Sequence, residues 1–263
     1  MTRKTIIITG IASVTTERLI RDLDGYCDDD TRIVLSTWEG AKIDVSDVES
    51  CNVVFTKDPG PGPKTRKHNG KRHRVQNFNR QLYTVITGLD FIEKTYKPED
   101  RGIVLRIRSD FKCTKDPFSI YYDVPVVDKG VSNLSNKIWI CNRHPCHDGK
   151  MSQGWDYGVS DFSCMGRYED VREWHNIKEE SIRISPLVTD CEHQFFVSNV
   201  VKAKLIDEEP SLMDEKSQMA KRFIDENVVF YNRHIDMGML CVKYPNICGL
   251  VKSVAPKKLE ENL

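Results

Sequence analysis

Four short runs of aliphatic and β-branched residues punctuate the first 110 positions, and they constrain the fold more than any other feature. Residues 5–9 (TIIIT) stop at Gly10, and residues 32–37 (RIVLST) stop at Trp38-Glu39-Gly40. Residues 52–56 (NVVFT) stop at Lys57-Asp58-Pro59-Gly60, and residues 101–110 (RGIVLRIRSD) stop at Asp110. Each has the length and composition of a strand. Residues 15–23 read as a helix between the first two. Before the fourth run, Phe78, Leu82, Val85, Leu89 and Ile92 recur every three or four positions and make one apolar helical stripe. A β-α-β-β-α-β order predicts an α/β fold of Rossmann type, with a mostly parallel sheet flanked by helices.

The fourth run poses a problem. A central parallel strand is apolar on both faces. Side chains alternate along a strand, so Ile103, Leu105 and Ile107 share one face. The other face carries Val104, Arg106, Arg108 and Asp110. Ligands of open α/β sheets bind outside the carboxyl ends of the strands. A carboxylate there can hold a divalent cation that in turn holds a diphosphate, with arginines orienting it or meeting phosphate directly. The alternative is a buried Arg–Asp network that fixes sheet geometry.

Composition excludes some classes. The chain has 263 residues, 39% hydrophobic and 30% charged, with formal net charge zero. That size supports a sizeable core, and zero net charge argues against bulk affinity for nucleic acid or membrane. No apolar run reaches the roughly 20 residues of a transmembrane helix. The start, MTRKTIIITGIASV, is read as a first core strand and not as a signal peptide. Nine scattered cysteines are expected to be reduced thiols in a cytoplasmic setting.

Residues 59–74 (PGPGPKTRKHNGKRHR) are read as irregular because of Pro and Gly, and as basic. They suit a solvated loop, a flap over an anionic ligand, or a nuclear-localisation-like patch. In the second half, strands are expected at 138–141 and 157–162, the latter leading through Gly166 into a short helix at 168–174. A further helix is expected from Asp190, and a surface helix at 215–227. Cys141, His144, Cys146 and His147 cluster within CNRHPCH, but their spacing matches no common zinc site. Trp155, Tyr157 and Trp174 fit either sugar stacking or the core. The first turn, TGIASVTTE, lacks the second and third glycines of a dinucleotide turn, which weakens an oxidoreductase reading.

IIITG, IVLSTWEG, KDPG, NFNRQLYTVITGL and LRIRSD, taken together, resemble the WavE-type lipopolysaccharide-synthesis family. YGVSDFSCMGRYEDV and ISPLVTDCEHQFFVSNVV extend the likeness, which spans residues 5–201. The resemblance implies a GT-A-like fold and a glycosyltransferase that moves a sugar from a nucleotide diphosphate sugar donor to a glycan acceptor. It implies a single domain over residues 1–263. Residues 1–112 would form the nucleotide-sugar-binding half, 113–250 the acceptor-binding half and 251–263 a tail. No nucleic-acid partner is expected, and no transmembrane segment, though peripheral membrane contact is compatible with this reading.

The resemblance also assigns roles. Thr9, Gly10, Thr37, Trp38, Glu39 and Asp58 fall where such a fold places the nucleotide. Asn79 and Arg80 would face ribose or phosphates, beside Arg108 and Ser109. The family-wide Asp-x-Asp metal motif maps onto Arg108-Ser109-Asp110, so Arg108 stands where the first carboxylate is expected. The implied cofactor is divalent manganese or magnesium, with Asp110 and His234 as ligands. An inverting transfer needs a base for the acceptor hydroxyl. Glu192 fits that role, with Asp161 second or as an acceptor-hydroxyl ligand. Acidic residues also favour a helix's first turn for electrostatic reasons alone, and Asp190 suits an N-cap. The competing reading is a non-catalytic nucleotide- or glycan-binding protein of the same fold.

Overall fold

The computed structural model describes residues 3–60, 64–68, 71–74, 78–119, 121, 132–142, 159–177, 199, 223, 226–231 and 239–241. In the first half, β1 (Lys4–Thr9), α1 (Val14–Tyr26), β2 (Thr31–Trp38) and β3 (Cys51–Thr56) follow the strand and helix signals closely. A ribbon of β4 (Lys64–His68) and β5 (Lys71–Arg74) precedes the long helix α2 (Phe78–Thr95). Then come β6 (Ile103–Arg108), β7 (Phe111–Cys113), β8 (Ile138–Asn142), β9 (Val159–Arg167) and α3 (Tyr168–His175). β10 (Val228–Tyr231) and β11 (Met239–Cys241) lie near the end.

The described residues form a seven-stranded sheet in the order β10-β8-β9-β6-β1-β2-β3. β1 runs parallel to β2 and to β6, and β2 runs parallel to β3. β9 is antiparallel to both β6 and β8, while β10 is parallel to β8. Six of the seven strands therefore share one direction. The sheet is mostly parallel, as the alternation of strand and helix predicts.

Alternation along the strands divides the core between two faces. Ile6, Ile8, Ile33, Leu35, Leu105 and Ile107 pack with Leu19, Ile20 and Leu23 of α1. Ile7 and Val104 pack with Val85, Leu89 and Ile92 of α2 and with Val171 and Trp174 of α3. Close approach on the second face depends on Gly88. A Cβ there would lie 2.6 Å from Ile7 Cγ2.

Several expectations change. Residues 59–74 are not irregular throughout, because β4 and β5 pair antiparallel, with Lys67 opposite Arg72 and His68 opposite Lys71. The strand expected at 157–162 is described from Val159 and continues to Arg167, because Ser163 to Arg167 pair with β6. At the C-terminal end of the helix expected at 215–227, Phe223 and Asn227 are buried. Trp174 is a core residue, its ring centroid 6.3 Å from that of Phe223. Among the described side chains, Cys27, Cys51, Cys113 and Cys164 are free thiols. Burial pushes the Cys27, Cys113 and Cys164 thiols up to about 12 and that of Cys51 to about 11, which makes them poor nucleophiles. Among the described residues no helix is long and apolar enough to cross a membrane.

Candidate functional site

Parallel pairing carries the C-terminal ends of β1, β2, β3 and β6 to one edge of the sheet. The chain crosses from β3 on one side of β1 to β6 on the other. The order therefore reverses between β1 and β6, and the crevice outside a reversal is where such sheets bind ligands. Its walls are Thr9-Gly10-Ile11 and Arg108-Ser109-Asp110.

Hydrogen bonds hold those walls together. Thr9 is buried; its hydroxyl donates to the Ile107 carbonyl at 3.2 Å and accepts from Arg106 Nε at 3.0 Å. Arg106, only 2% exposed, also donates from Nη2 to Gln81 Oε1 of α2 at 3.0 Å. The Ser109 amide donates to the Thr9 carbonyl at 2.9 Å, and the Ser109 hydroxyl donates to the Ile11 carbonyl at 2.9 Å. Gly10 has φ +128°, and a Cβ there would lie 2.6 Å from Ser109 Oγ. Glycine is needed because both the conformation and the approach of the two strand ends exclude a side chain. Ile11 and Val14, beyond this turn, are 72% and 77% exposed and give the crevice an aliphatic rim.

At the mouth, Arg108 grips Asp110. Nε donates to Oδ1 at 3.0 Å and Nη2 to Oδ2 at 2.8 Å, a bidentate pair with side chains 24% and 18% exposed. A divalent cation would need carboxylate or imidazole donors converging on one point. Among the described residues no group of three or more His, Cys, Asp or Glu side chains does so. Both Asp110 oxygens already meet a guanidinium, which would repel a metal ion placed beside it. The described donor set does not fit the metal that the Asp-x-Asp pattern implies. His234 lies outside the described residues, three positions past the end of β10.

The other expected ligands divide by depth. Thr37 is buried, and its hydroxyl accepts from the Ala12 amide at 3.2 Å, fixing the turn after β1. Trp38 is half-buried and Glu39 exposed at the end of β2. Asp58 and Arg80 form a second bidentate pair, with distances of 2.9 and 2.7 Å. Asp58 also accepts from the Gly60 amide at 2.9 Å. The Arg80 hydrogen bond, followed by that amide, holds the Asp58 carboxyl below its ordinary range. Asn79 lies half-buried in the first turn of α2.

β9 returns toward this edge. Ser163 pairs with Ile107, so the backbone of Asp161, two residues earlier, reaches the end of the sheet where β6 stops. Glu192 lies outside the described residues, as do His144, Cys146, His147, Trp155 and Tyr157. A cleft of about 600 Å³ opens at the opposite edge, where β2 and β3 begin. Asp24, Asp28, Asp29, Asp47 and Glu49 line it against Arg32, so its charge suits no diphosphate.

Sequence reading missed Gln81, the side chain that meets Arg106. Its signal is a polar residue in the first turn of an amphipathic helix following the third strand. The β4–β5 pairing was also missed. Asn69-Gly70, between His68 and Lys71, is the dipeptide most typical of a two-residue hairpin connection.

Comparisons with known proteins add the following. In the solved structure of the apo-form glycosyltransferase GlyE of Streptococcus pneumoniae TIGR4, 10% of aligned residues are identical, over 89% of this chain and 46% of that one, with a TM-score of 0.37. A second GlyE structure is similar at 10% identity over 89% of this chain and 46% of that chain, with a TM-score of 0.38. An active-site mutant of LgtC is similar at 10% identity over 88% of this chain and 73% of that one, with a TM-score of 0.43. The chain thus spans about half the length of the GlyE structures. No curated protein matches it. The family model for WavE lipopolysaccharide synthesis matches residues 10–247, from the glycine at the crevice to beyond the last described strand, and the chain belongs to that family.

Proposed function

We propose that the chain is a glycosyltransferase of GT-A-like architecture, acting in lipopolysaccharide synthesis at the cytoplasmic side of a membrane. It would move a sugar from a nucleotide diphosphate sugar to a glycan acceptor. One observation carries the reading in a member of this family: the strand-order reversal between β1 and β6 opens a crevice whose mouth holds Arg108 and Asp110. Arginine at a strand end suits phosphate, because its planar fork matches two phosphate oxygens at once.

The remaining roles follow from chemistry. Trp38 and Glu39 would face the nucleotide across the crevice, and Arg80 and Asn79 its ribose or phosphates. The buried hydroxyls of Thr9 and Thr37 would hold the walls in place. Glu192 would take the proton from the acceptor hydroxyl as the sugar carbon is attacked. Asp161 would bind the acceptor beside it.

Ligands that prefer the native state raise its melting temperature, by about 2.7 kcal/mol of stability at a hundred times Kd. A thermal-shift screen with nucleotide sugars, nicotinamide dinucleotides and oligonucleotides tests the proposal. Stabilisation by one class of nucleotide sugar is expected. Stabilisation by a nicotinamide cofactor with no response to any nucleotide sugar would replace the reading with an oxidoreductase.

A further inference from the structure

We propose that the edge of the sheet where the parallel strands end docks on an anionic phospholipid surface, through the β4–β5 ribbon and the aliphatic rim of the crevice. The proposal rests on the reading above, which puts the chain at a membrane, and its test needs neither donor nor acceptor.

The ribbon supplies the charge. It carries Lys64, Arg66, Lys67, Lys71, Arg72 and Arg74, and the sequence has no acidic residue between Asp58 and Asp90. Its register sets basic residues opposite one another: Lys64 pairs with Arg74, Lys67 with Arg72 and His68 with Lys71. Like charges directly opposite destabilise a ribbon, so this one gains from an anionic partner. Successive pairs fall on opposite sides of a ribbon, so basic positions occupy both. That arrangement suits an extended field of negative charge more than a single phosphate in a pocket.

Chain length fixes where the ribbon stands. β4 begins four positions after Gly60, and β5 ends four positions before Phe78, the first residue of α2. Four residues reach at most about 14 Å. The Gly60 amide donates to Asp58, which Arg80 of α2 grips, so both ends of the ribbon are tethered at the edge where β3 stops.

Exposed apolar side chains gather at the same edge. Ile11 and Val14 follow β1, Phe55 is the penultimate residue of β3, and Tyr83 lies one turn beyond Arg80 in α2. Among the described residues, the other large hydrophobic that is exposed is Tyr26, which ends α1 at the far side of the sheet. That far side is acidic, with Asp24, Asp28, Asp29, Asp47 and Glu49 in its cleft. At the crevice edge, Asp58 and Asp110 are each paired with an arginine, and Glu39 is exposed, as is Lys57. A formal net charge of zero thus conceals a basic end and an acidic end. An anionic leaflet attracts the basic end, and its interface also takes up aliphatic side chains, which a nucleic-acid backbone does not.

Co-sedimentation of the full chain with vesicles tests the proposal, using phosphatidylcholine alone and an equal mixture with phosphatidylglycerol. Binding is expected to the mixture and not to phosphatidylcholine alone. It should weaken in about 1 M salt, where screening acts within about 3 Å. Each Lys or Arg near an anionic leaflet contributes about fivefold to partitioning. The triple variant Lys64→Gln, Lys67→Gln, Lys71→Gln should therefore bind about 100-fold more weakly. Val14→Gln removes an apolar contact and should weaken binding about tenfold. Equal binding to both vesicles, or binding to neither, would overturn the proposal and leave sugar transfer standing. Weaker binding in the lysine variant with no change in Val14→Gln would mark a general polyanion site, open to nucleic acid, and would overturn it too. So would a lysine variant that keeps its vesicle binding; loss of nucleotide affinity in that variant would make the ribbon a flap over the donor. The wild-type comparison of the two vesicles decides the matter even where a variant fails to fold.

Discussion

Thr9 shows how a residue at a ligand-binding edge can act through the protein and not through the ligand. Its hydroxyl is buried between the Ile107 carbonyl and Arg106 Nε. Thr9→Val keeps the shape and removes both hydrogen bonds, leaving a buried carbonyl and a buried guanidinium N–H each short of a partner. A hydrogen bond to a charged group contributes about 1.5–3 kcal/mol, so urea denaturation should show a loss of that size. A hydroxyl that only touched ligand would change nucleotide affinity and leave stability alone. The sequence showed that Arg106 and Arg108 share a strand face, since alternation is a local rule. It did not show that one is interior and the other at the mouth. That difference comes from α2 laying Gln81 against Arg106, and the helix begins 28 positions before Arg106 (106 − 78). Asp110 was legible as a carboxylate at the strand end, and an Arg–Asp network as one reading of it, but which of the two arginines it grips was not.

Among the elements, α2 was the most legible and its tightest contact the least. The apolar stripe from Phe78 to Ile92 marks the buried face, and those residues are buried. Gly88 within it costs helix propensity, and only the packing explains it. Gly88→Ala would improve the isolated helix by about 1 kcal/mol. In the protein its methyl would meet Ile7 Cγ2 at 2.6 Å. Ile7 is β-branched and fully buried, so it has no easy rotamer to retreat to. Overpacking of this kind costs about 1–3 kcal/mol. The expected outcome in thermal denaturation is a lower midpoint in spite of the better helix former. An unchanged or higher midpoint would mean that α2 can shift outward freely. β10 escaped sequence reading for a related reason. VVFY follows the end of a helical pattern with no turn residue between them, and its partner is β8, 90 positions earlier in register (228 − 138). Pairing at that separation leaves no local trace.

At the scale of the whole molecule, β9 does what sequence order alone cannot announce. It enters between β6 and β8 against the direction of the other six strands. Its beginning, and not its end, therefore meets the crevice edge. Asp161 thereby reaches the same edge as Asp110, although 51 positions separate them (161 − 110). The division of labour proposed for Glu192 and Asp161 is open to a direct kinetic separation. A base acts on the acceptor proton in the transition state and adds little to donor binding. Glu192→Gln keeps shape and removes the charge, so transfer should slow by roughly 10²–10⁴-fold with donor Kd nearly unchanged. Asp161→Asn should act mainly on the acceptor, raising its KM while leaving much of kcat. The reverse pattern, a dead Asp161 variant and a near-normal Glu192 variant, would move the base to the β9 edge that the topology brings to the crevice. Activity in both variants would leave Glu192 as an acid that merely favours a helix's first turn. The proton would then have to leave by way of another group at the mouth that Arg108 and Asp110 share.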